Sequence, residues 1–417
     1  MLTLDRRLFL TGGALAAGAL VTPGPLFAAG KDDLKSITGD VQPITPAERL
    51  SRIAKAQRLM RQHGLGAILI EPGASLTYFS GVRWGRSERL TAALIPVEGD
   101  TIVFTPFFEE PSVRESLAIP ATVRTWMEHE DPLKLVAGAL TDLKLQAKPI
   151  GVEETVRFFA VDGLRKALPR ADIRNAAPVV RGCRMIKSPA EIALMQKAAD
   201  VTLAAYRYTY PRVEKGMTPA DIGGLMNTAT RALGASPEFA LVLLGEASAY
   251  PHGSGKPQEV REGEVVLMDC GCTVHGYQSD ISRTWVHGGA DAEQRKVWLQ
   301  MRKGQDIAFA AARIGAPAGA VDDAVRAQYT AWGYGPGYKL PGLSHRTGHG
   351  IGMEGHEPVN FVHGEKTPLA AGMCLSNEPG IYIPGKFGIR LEDCLYMTPS
   401  GPRWFSQPPP SIDNPVA

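Results

Sequence analysis

The run Val265-Val266-Leu267-Met268 predicts a buried strand, and it ends on a carboxylate, Asp269. A charge carried to the edge of a core is costly unless something positive meets it, so the fold must bring a cationic partner to this point. Asp280 follows eleven residues later, beyond the turn Val274-His275-Gly276-Tyr277, and a hairpin there could bring the two carboxylates together. Taken alone, two Asp at this spacing serve more often as a turn cap and a surface residue.

Three further segments alter that balance. His349 lies in Thr347-Gly348-His349-Gly350-Ile351-Gly352, where flanking glycines would let the backbone come close to a bound ion or substrate. His345 precedes it by four residues and His356 follows it by seven, a clustering typical of a metal or catalytic centre. Glu378-Pro379-Gly380 and Arg390-Leu391-Glu392-Asp393 each set a glutamate beside apolar, strand-like residues. One neutral imidazole with Asp269, Asp280, Glu378 and Glu392 carries about four negative charges, which matches two divalent ions better than one.

The remainder of the chain sets the context. Its 417 residues suggest two domains, and 44% hydrophobic with 21% charged residues is the balance of a globular protein. A net charge of +2 gives no electrostatic reason to expect nucleic acid as a partner. Residues 1–29 read as an export signal: Arg6-Arg7-Leu8-Phe9-Leu10 precedes an uncharged stretch broken by Gly12, Gly13, Gly18, Pro23 and Pro25, a poor membrane span. The paired arginines resemble a twin-arginine signal, which implies a periplasmic or secreted protein with no stable membrane span once the signal is removed. The five cysteines are an odd number, and Cys270 and Cys272, two apart on a strand, are expected as free core thiols.

Residues 30–45 read as a linker. Residues 46–180 read as an α/β domain: a helix over 47–62 stopped by Gly64, a strand over 67–70, and a hairpin around Glu98-Gly99-Asp100. A second domain, 181–417, opens with Ser188 as N-cap and Pro189 at the first helical position. It continues with a helix after Thr218, a strand over 264–269 and helices between about 292 and 332. The Pro408-Pro409-Pro410 tail is expected on the surface.

The order Asp, Asp, His, Glu, Glu resembles the pita-bread metallopeptidases, the superfamily of methionine aminopeptidase, aminopeptidase P and prolidase. The likeness runs from about residue 46 to 400 and includes Ser279-Asp280-Ile281-Ser282-Arg283-Thr284 and Asn377-Glu378-Pro379-Gly380-Ile381-Tyr382. Arg184-Met185-Ile186-Lys187-Ser188-Pro189-Ala190-Glu191-Ile192 and the additional first domain are similar to the Xaa-Pro peptidase branch. Cys270 and Cys272 depart from the small or hydroxyl residues common beside the first ligand, and Thr77 stands where relatives carry an aromatic.

The resemblance implies an α/β creatinase-like N-terminal domain followed by an α+β pita-bread catalytic domain. It implies that Asp269 chelates one metal, His349 and Glu378 the other, and that Asp280 and Glu392 bridge them. A water shared by two divalent ions becomes a nucleophile near neutral pH, with Glu378 as general base. Manganese is the expected metal, with cobalt, zinc or iron as alternatives. By the same resemblance His252 contacts substrate, His356 stabilises the tetrahedral oxyanion or the scissile nitrogen, and His345, Tyr382 and Arg390 orient ligands and substrate. For those last three, ordinary hydrogen bonding is an equal alternative. The implied partners are small peptides with a proline after the scissile bond, and the implied assembly is a homodimer or tetramer. The same fold also hosts a lyase, an amidinohydrolase and non-catalytic peptide-binding modules, but a full set of five ligand residues favours the hydrolase.

Overall fold

The computed structural model describes residues 34–416. The export signal expected at 1–29 lies outside them. Among the described residues no helix is long and apolar enough to cross a membrane.

The first half forms one six-stranded sheet. Its strands are β1 (Ala67–Ile70), β2 (Ala92–Pro96), β3 (Thr101–Pro106), β4 (Ala121–Trp126), β5 (Ile150–Val152) and β6 (Ile173–Asn175), in the spatial order β4-β3-β2-β1-β5-β6. The expected hairpin is the antiparallel pair β2–β3, while β1–β5, β5–β6 and β3–β4 are parallel. Side chains alternate across a strand, and here both faces are covered, which is why β1 is apolar throughout. Ile68 and Ile70 pack with Ile53 and Met60 of α1 (Pro46–His63) and with α2 (Ala74–Ser80). Ala67 and Leu69 pack on the other face, with Leu133, Val136 and Leu140 of α4 (Pro132–Asp142) and Leu164 of α5 (Phe158–Ala167). A short α3 (Glu110–Ser116) lies between β3 and β4 in sequence. The α1 helix starts where Thr45 accepts the Glu48 N–H and stops at Gly64, whose φ of 68° is a left-handed conformation that suits glycine.

After α6 (Ala177–Arg184), α7 (Pro189–Thr209) begins with a capping box: Ser188 accepts from Glu191 N–H and the Glu191 carboxylate accepts from Ser188 N–H. A second capping box, Thr218 with Asp221, starts α8 (Pro219–Ala232). Then β7 (Ser236–Leu244), β8 (Val265–Val274), β9 (Tyr277–Gln278) and β10 (Ile281–Val286) build a sheet ordered β10-β8-β7, with β9 on β8. Helices α9 (Ala292–Ala311) and α10 (Gly319–Ala331) precede β11 (Gly348–Gly350), β12 (Glu357–Phe361), β13 (Cys374–Asn377), β14 (Gly380–Ile383), β15 (Phe387–Arg390), β16 (Asp393–Thr398) and β17 (Gly401–Trp404). The order β12-β11-β13-β16-β17 makes a five-stranded sheet, and β14–β15 a separate ribbon. One core joins these layers, with Leu267 of β8, Trp298 and Met301 of α9, Val325 of α10 and Leu375 of β13 all buried in it.

Four expectations change in detail. Asp269 does not end its strand: β8 runs to Val274, because Cys270 and Cys272 stay buried and extend the apolar face. His349 lies on strand β11, and its flanking glycines make room for the neighbouring strands rather than for an ion or substrate. A Cβ on Gly348 would come within 2.2 Å of the Ser376 carbonyl oxygen, and one on Gly350 within 2.5 Å of the Pro358 oxygen. The tail is packed: Ile412 enters the main core and Arg207 Nε donates to the Val416 carbonyl at 3.1 Å. The stretch before α1 is also tied down, with Ile37 N–H donating to Leu233 O at 3.0 Å and Lys197 paired with Asp40. All five cysteines are free and buried, as expected.

Candidate metal and active site

Three layers deliver the candidate ligands to one place. In the antiparallel pairing of β8 with β10, Ser282 lies opposite Asp269 and Ile281 opposite Cys270, which brings Asp280, just before β10, back beside Asp269. Asp269 stands near enough for its charge to raise the Asp280 carboxyl. His349 comes from the middle of β11, Glu378 from the link between β13 and β14, and Glu392 from the link between β15 and β16. His349 Nε2 stands 3.1 Å from Glu378 Oε1, 3.7 Å from Asp280 Oδ2 and 3.9 Å from Glu392 Oε1. One ligand atom from each of Asp280, His349 and Glu392 falls within 4.8 Å of the others.

The hydrogen bonding of these groups fits a cation. His349 Nδ1 lies 3.0 Å from the Gly350 carbonyl, to which only an N–H can donate, so Nε2 is the ring atom turned to the carboxylates: protonated it donates to Glu378, and deprotonated it would offer its lone pair to a cation. Asp269 Oδ1, Asp280 Oδ1 and Glu392 Oε1 are buried with no hydrogen-bond partner. Buried polar atoms are normally satisfied, and three carboxylate oxygens left over around one imidazole are the coordination set of a hard or borderline divalent ion. Burial, with the charges of Asp269 and Glu378, pushes the Asp280 carboxyl well above its ordinary range. Burial and the Asp280 charge do the same to Glu392. Burial also raises Glu378, but His349, His345 and Arg390 outweigh it and hold that carboxyl low. A fold that crowds carboxylates in this way needs positive charge between them.

Around the ligands lies a cavity of about 330 Å³, lined by the five of them and by Pro251, His252, Tyr338, His345, Arg346, His356, Val362 and Arg390. Every residue singled out from sequence except Tyr382 lines it, and Tyr382 lies just behind. Its hydroxyl is 2.7 Å from His345 Nε2 and accepts from Arg390 Nη1 at 3.1 Å. Burial raises the Tyr382 phenol to about 12, so it stays protonated. Arg390 Nη2 donates to Asp269 Oδ2 at 2.8 Å, its Nε to Ser282 Oγ at 3.0 Å, and Ser282 Oγ in turn to Glu392 Oε2 at 3.0 Å. Arg390 therefore orients two candidate ligands, one directly and one through Ser282. His356 stands at the rim, its ring centroid 4.1 Å from that of His349; burial, with the His349 and Arg346 charges, lowers it to about 4 and keeps it neutral at physiological pH. His252 is exposed and also lines the cavity.

Several residues of the frame were not singled out from sequence. Ser282 lies two residues beyond Asp280, the spacing of one strand face, and that signal could have marked it. Ser376 donates to Glu378 Oε1 at 3.3 Å and accepts the His349 N–H at 2.9 Å. Asp322 and Arg326 of α10 hold the cavity wall from behind. Asp322 accepts Thr347 N–H, Thr347 Oγ1 and His363 N–H, and Arg326 donates to the carbonyls of Gly337, Leu343 and His345. An acid and a base four apart on a helix is too common a pattern to have identified them.

Comparison with known proteins gives a consistent picture. Residues 193–399 match the profile of metallopeptidase family M24, and residues 52–186 that of the creatinase/prolidase N-terminal domain. A probable dipeptidase, PepE, of Mycobacterium tuberculosis is 34% identical over 364 residues, spanning 84% of this chain and 92% of that protein. A Xaa-Pro dipeptidase of Lactobacillus helveticus is 30% identical over 357 residues, spanning 84% and 95%. The crystal structure of dipeptidase PepE from Mycobacterium ulcerans superposes with a TM-score of 0.81 at 31% identity, covering 88% of this chain and 98% of that one. That of an X-Pro aminopeptidase from Thermotoga maritima gives 0.76 at 27%, covering 86% and 98%.

Proposed function

Since the chain belongs to metallopeptidase family M24 and carries a creatinase/prolidase N-terminal domain, we propose that it hydrolyses Xaa-Pro bonds, in dipeptides or at peptide N-termini. The observation that carries this reading is the meeting of Asp280, His349 and Glu392, with one ligand atom of each within 4.8 Å of the others and buried partnerless oxygens on Asp269, Asp280 and Glu392, in a cavity also lined by His252, His345, His356 and Arg390. Asp269, Asp280, His349, Glu378 and Glu392 would hold two divalent ions, Asp280 and Glu392 being the proposed shared ligands. When bound, such ions lower the pKa of a coordinated water and polarise the scissile carbonyl. Manganese is the proposed metal, since carboxylate oxygens dominate the donor set.

The chain's own residues supply the rest. Glu378, fixed by Ser376, takes the proton of the attacking water. His356, neutral at the rim, faces the developing oxyanion, and His252 closes on the substrate from the other side. A bond to proline offers no N–H, so the site must position its carbonyl through such contacts rather than through an amide donor. We place the protein in the periplasm or outside the cell on the strength of Arg6-Arg7 and the apolar stretch behind them, and we propose a homodimer or tetramer. A panel of Ala-Pro, Leu-Pro, Ala-Leu and Ala-Pro-Ala with manganese-loaded protein tests the substrate reading. Ala-Leu cleaved as fast as Ala-Pro would remove the proline preference, and no cleavage of any peptide would favour a lyase or amidinohydrolase.

A further inference from the structure

The ring of His356 meets that of His349 edge-on, and among the described residues it makes no hydrogen bond. Its place is therefore set by the backbone that carries it. That backbone, Gly352-Met353-Glu354-Gly355-His356, holds two glycines and belongs to no helix or strand. Glycine leaves a chain many conformations, so a turn of this composition needs bonds from outside to keep one shape.

Glu357 supplies the first of them. It lies opposite Gly350 in the β11–β12 pairing, and its Oε1 accepts the N–H groups of Met353 and Glu354 at 3.0 and 3.2 Å. The carboxylate thus closes the turn, with His356 inside the closed stretch. Gly352 packs against it: a Cβ there would come within 2.9 Å of Glu357 Oε2. As neighbours in extended chain the two side chains part, so that His356 lines the cavity and Glu357 faces Arg184 and Lys187.

Arg184 ties this turn to the first domain. One arm of its guanidinium, Nη2, donates to Glu354 Oε2 at 2.7 Å and to Glu357 Oε1, gripping the turn two residues before His356 and one after it. The other arm, Nη1, donates to Ser75 Oγ of α2 at 3.0 Å, and Ser75 Oγ donates to Glu153 Oε1 at 3.0 Å, just beyond β5. A planar fork can join partners on two sides in this way. Lys187 Nζ, a single point charge, reaches only Glu357 Oε2, at 3.0 Å.

We propose that Arg184 is a positioning residue for catalysis: its guanidinium clamps the turn 353–357 onto α2 of the first domain and so fixes where the His356 ring stands at the cavity. The inference rests on the Xaa-Pro peptidase reading above and on the role given there to His356. It adds a part for the N-terminal domain in the chemistry of its own chain.

The test is a double-mutant cycle on manganese-loaded protein with Ala-Pro as substrate, placing Arg184→Gln and Ser75→Ala each in the wild type and in the His356→Ala background. A displacement of ~1 Å can cost about 100-fold, so Arg184→Gln should lower kcat by about 10- to 100-fold, with KM changed by less than ~3-fold because His356 acts on the transition state. Ser75→Ala loosens only the anchor and should lower kcat by about 3- to 10-fold. In the His356→Ala background both losses should shrink to less than ~2-fold, because the residue through which they act is gone. A role confined to stability would leave each loss at full size in both backgrounds. A retained Mn(II)-induced rise in Tm shows that a variant is folded with its metal site intact. If Arg184→Gln lacks that rise, Ser75→Ala decides, and full wild-type activity in it overturns the inference. So do full losses on top of His356→Ala, losses carried in KM, or a His356→Ala variant as active as wild type. If wild type does not cleave Ala-Pro, the Xaa-Pro reading itself fails and the inference falls with it.

Discussion

Glu357 directly follows His356 at the start of β12, and it is 4% exposed. Its carboxylate accepts from Arg184, at the end of α6, and from Lys187 Nζ at 3.0 Å; it also accepts the N–H groups of Met353 and Glu354. Burial pushes this carboxyl up, but Lys187 and Arg184 outweigh it and hold it at about 2, against an ordinary 4.5. That difference corresponds to roughly 3 kcal/mol of folding stability at neutral pH. Breaking a buried ion pair by removing one partner costs about 3–5 kcal/mol, so two lines of reasoning agree on size. The sign follows from the lowered value: the fold favours the ionised form, so the stabilisation is complete above the ordinary carboxyl pKa and fades as pH falls from 4.5 toward 2. Urea unfolding of wild type and Glu357→Gln should therefore show a gap of roughly 3 kcal/mol at pH 7, shrinking to about half at pH 3. Equal stability at pH 7, or a gap that widens in acid, would refute the argument.

Asp280→Asn and Glu392→Gln should each reduce turnover below a tenth of wild type, a barrier increase above ~1.4 kcal/mol; activity above that level would remove the bridging assignment. Both carboxyls are raised by burial and mutual repulsion, so at neutral pH their ionised forms work against the fold. Chelator-treated variants should consequently melt no lower than chelator-treated wild type, and a clear drop in Tm would contradict this. Added Mn(II) should raise the Tm of wild type and not that of Asp280→Asn, as expected for a ligand that binds only the folded site. Replacing Arg6 and Arg7 by Lys should leave precursor in the cytoplasm; undiminished periplasmic protein would refute the twin-arginine reading.

Local signals carried much of the architecture. Gly64 and Ser188 marked helix ends because capping is a matter of a few adjacent residues, and β1 was visible as an apolar run covered on both faces. The candidate ligands were legible because carboxylates and a histidine interrupt apolar strands, where only a cation would justify them. What escaped notice depended on distant neighbours. Gly348 and Gly350 invited an explanation in terms of a nearby ion, whereas the close atoms are carbonyl oxygens of Ser376 and Pro358. Asp269 looked like a strand end because its charge broke the run, although Cys270 and Cys272 continue it. That Arg390 braces Asp269 and Ser282 while Arg346 is tied only to Asn360 depended on partners distant in sequence.

The attachment of the cavity wall to α10 bears on how substrate range can change over evolutionary time. Arg326 grips Gly337, Leu343 and His345 by their carbonyls, and Asp322 takes two backbone N–H groups together with the Thr347 hydroxyl. A hold on main-chain atoms is largely indifferent to which side chains the wall displays. Positions such as Tyr338, Arg346 and Val362 can therefore be exchanged to suit a different peptide while the path of the chain is kept. The same arrangement concentrates vulnerability, because replacing Arg326 would release three points of the wall at once although its side chain lies outside the cavity lining. Selection acting on this enzyme would accordingly find variation cheap at the wall and prohibitive on the helix behind it.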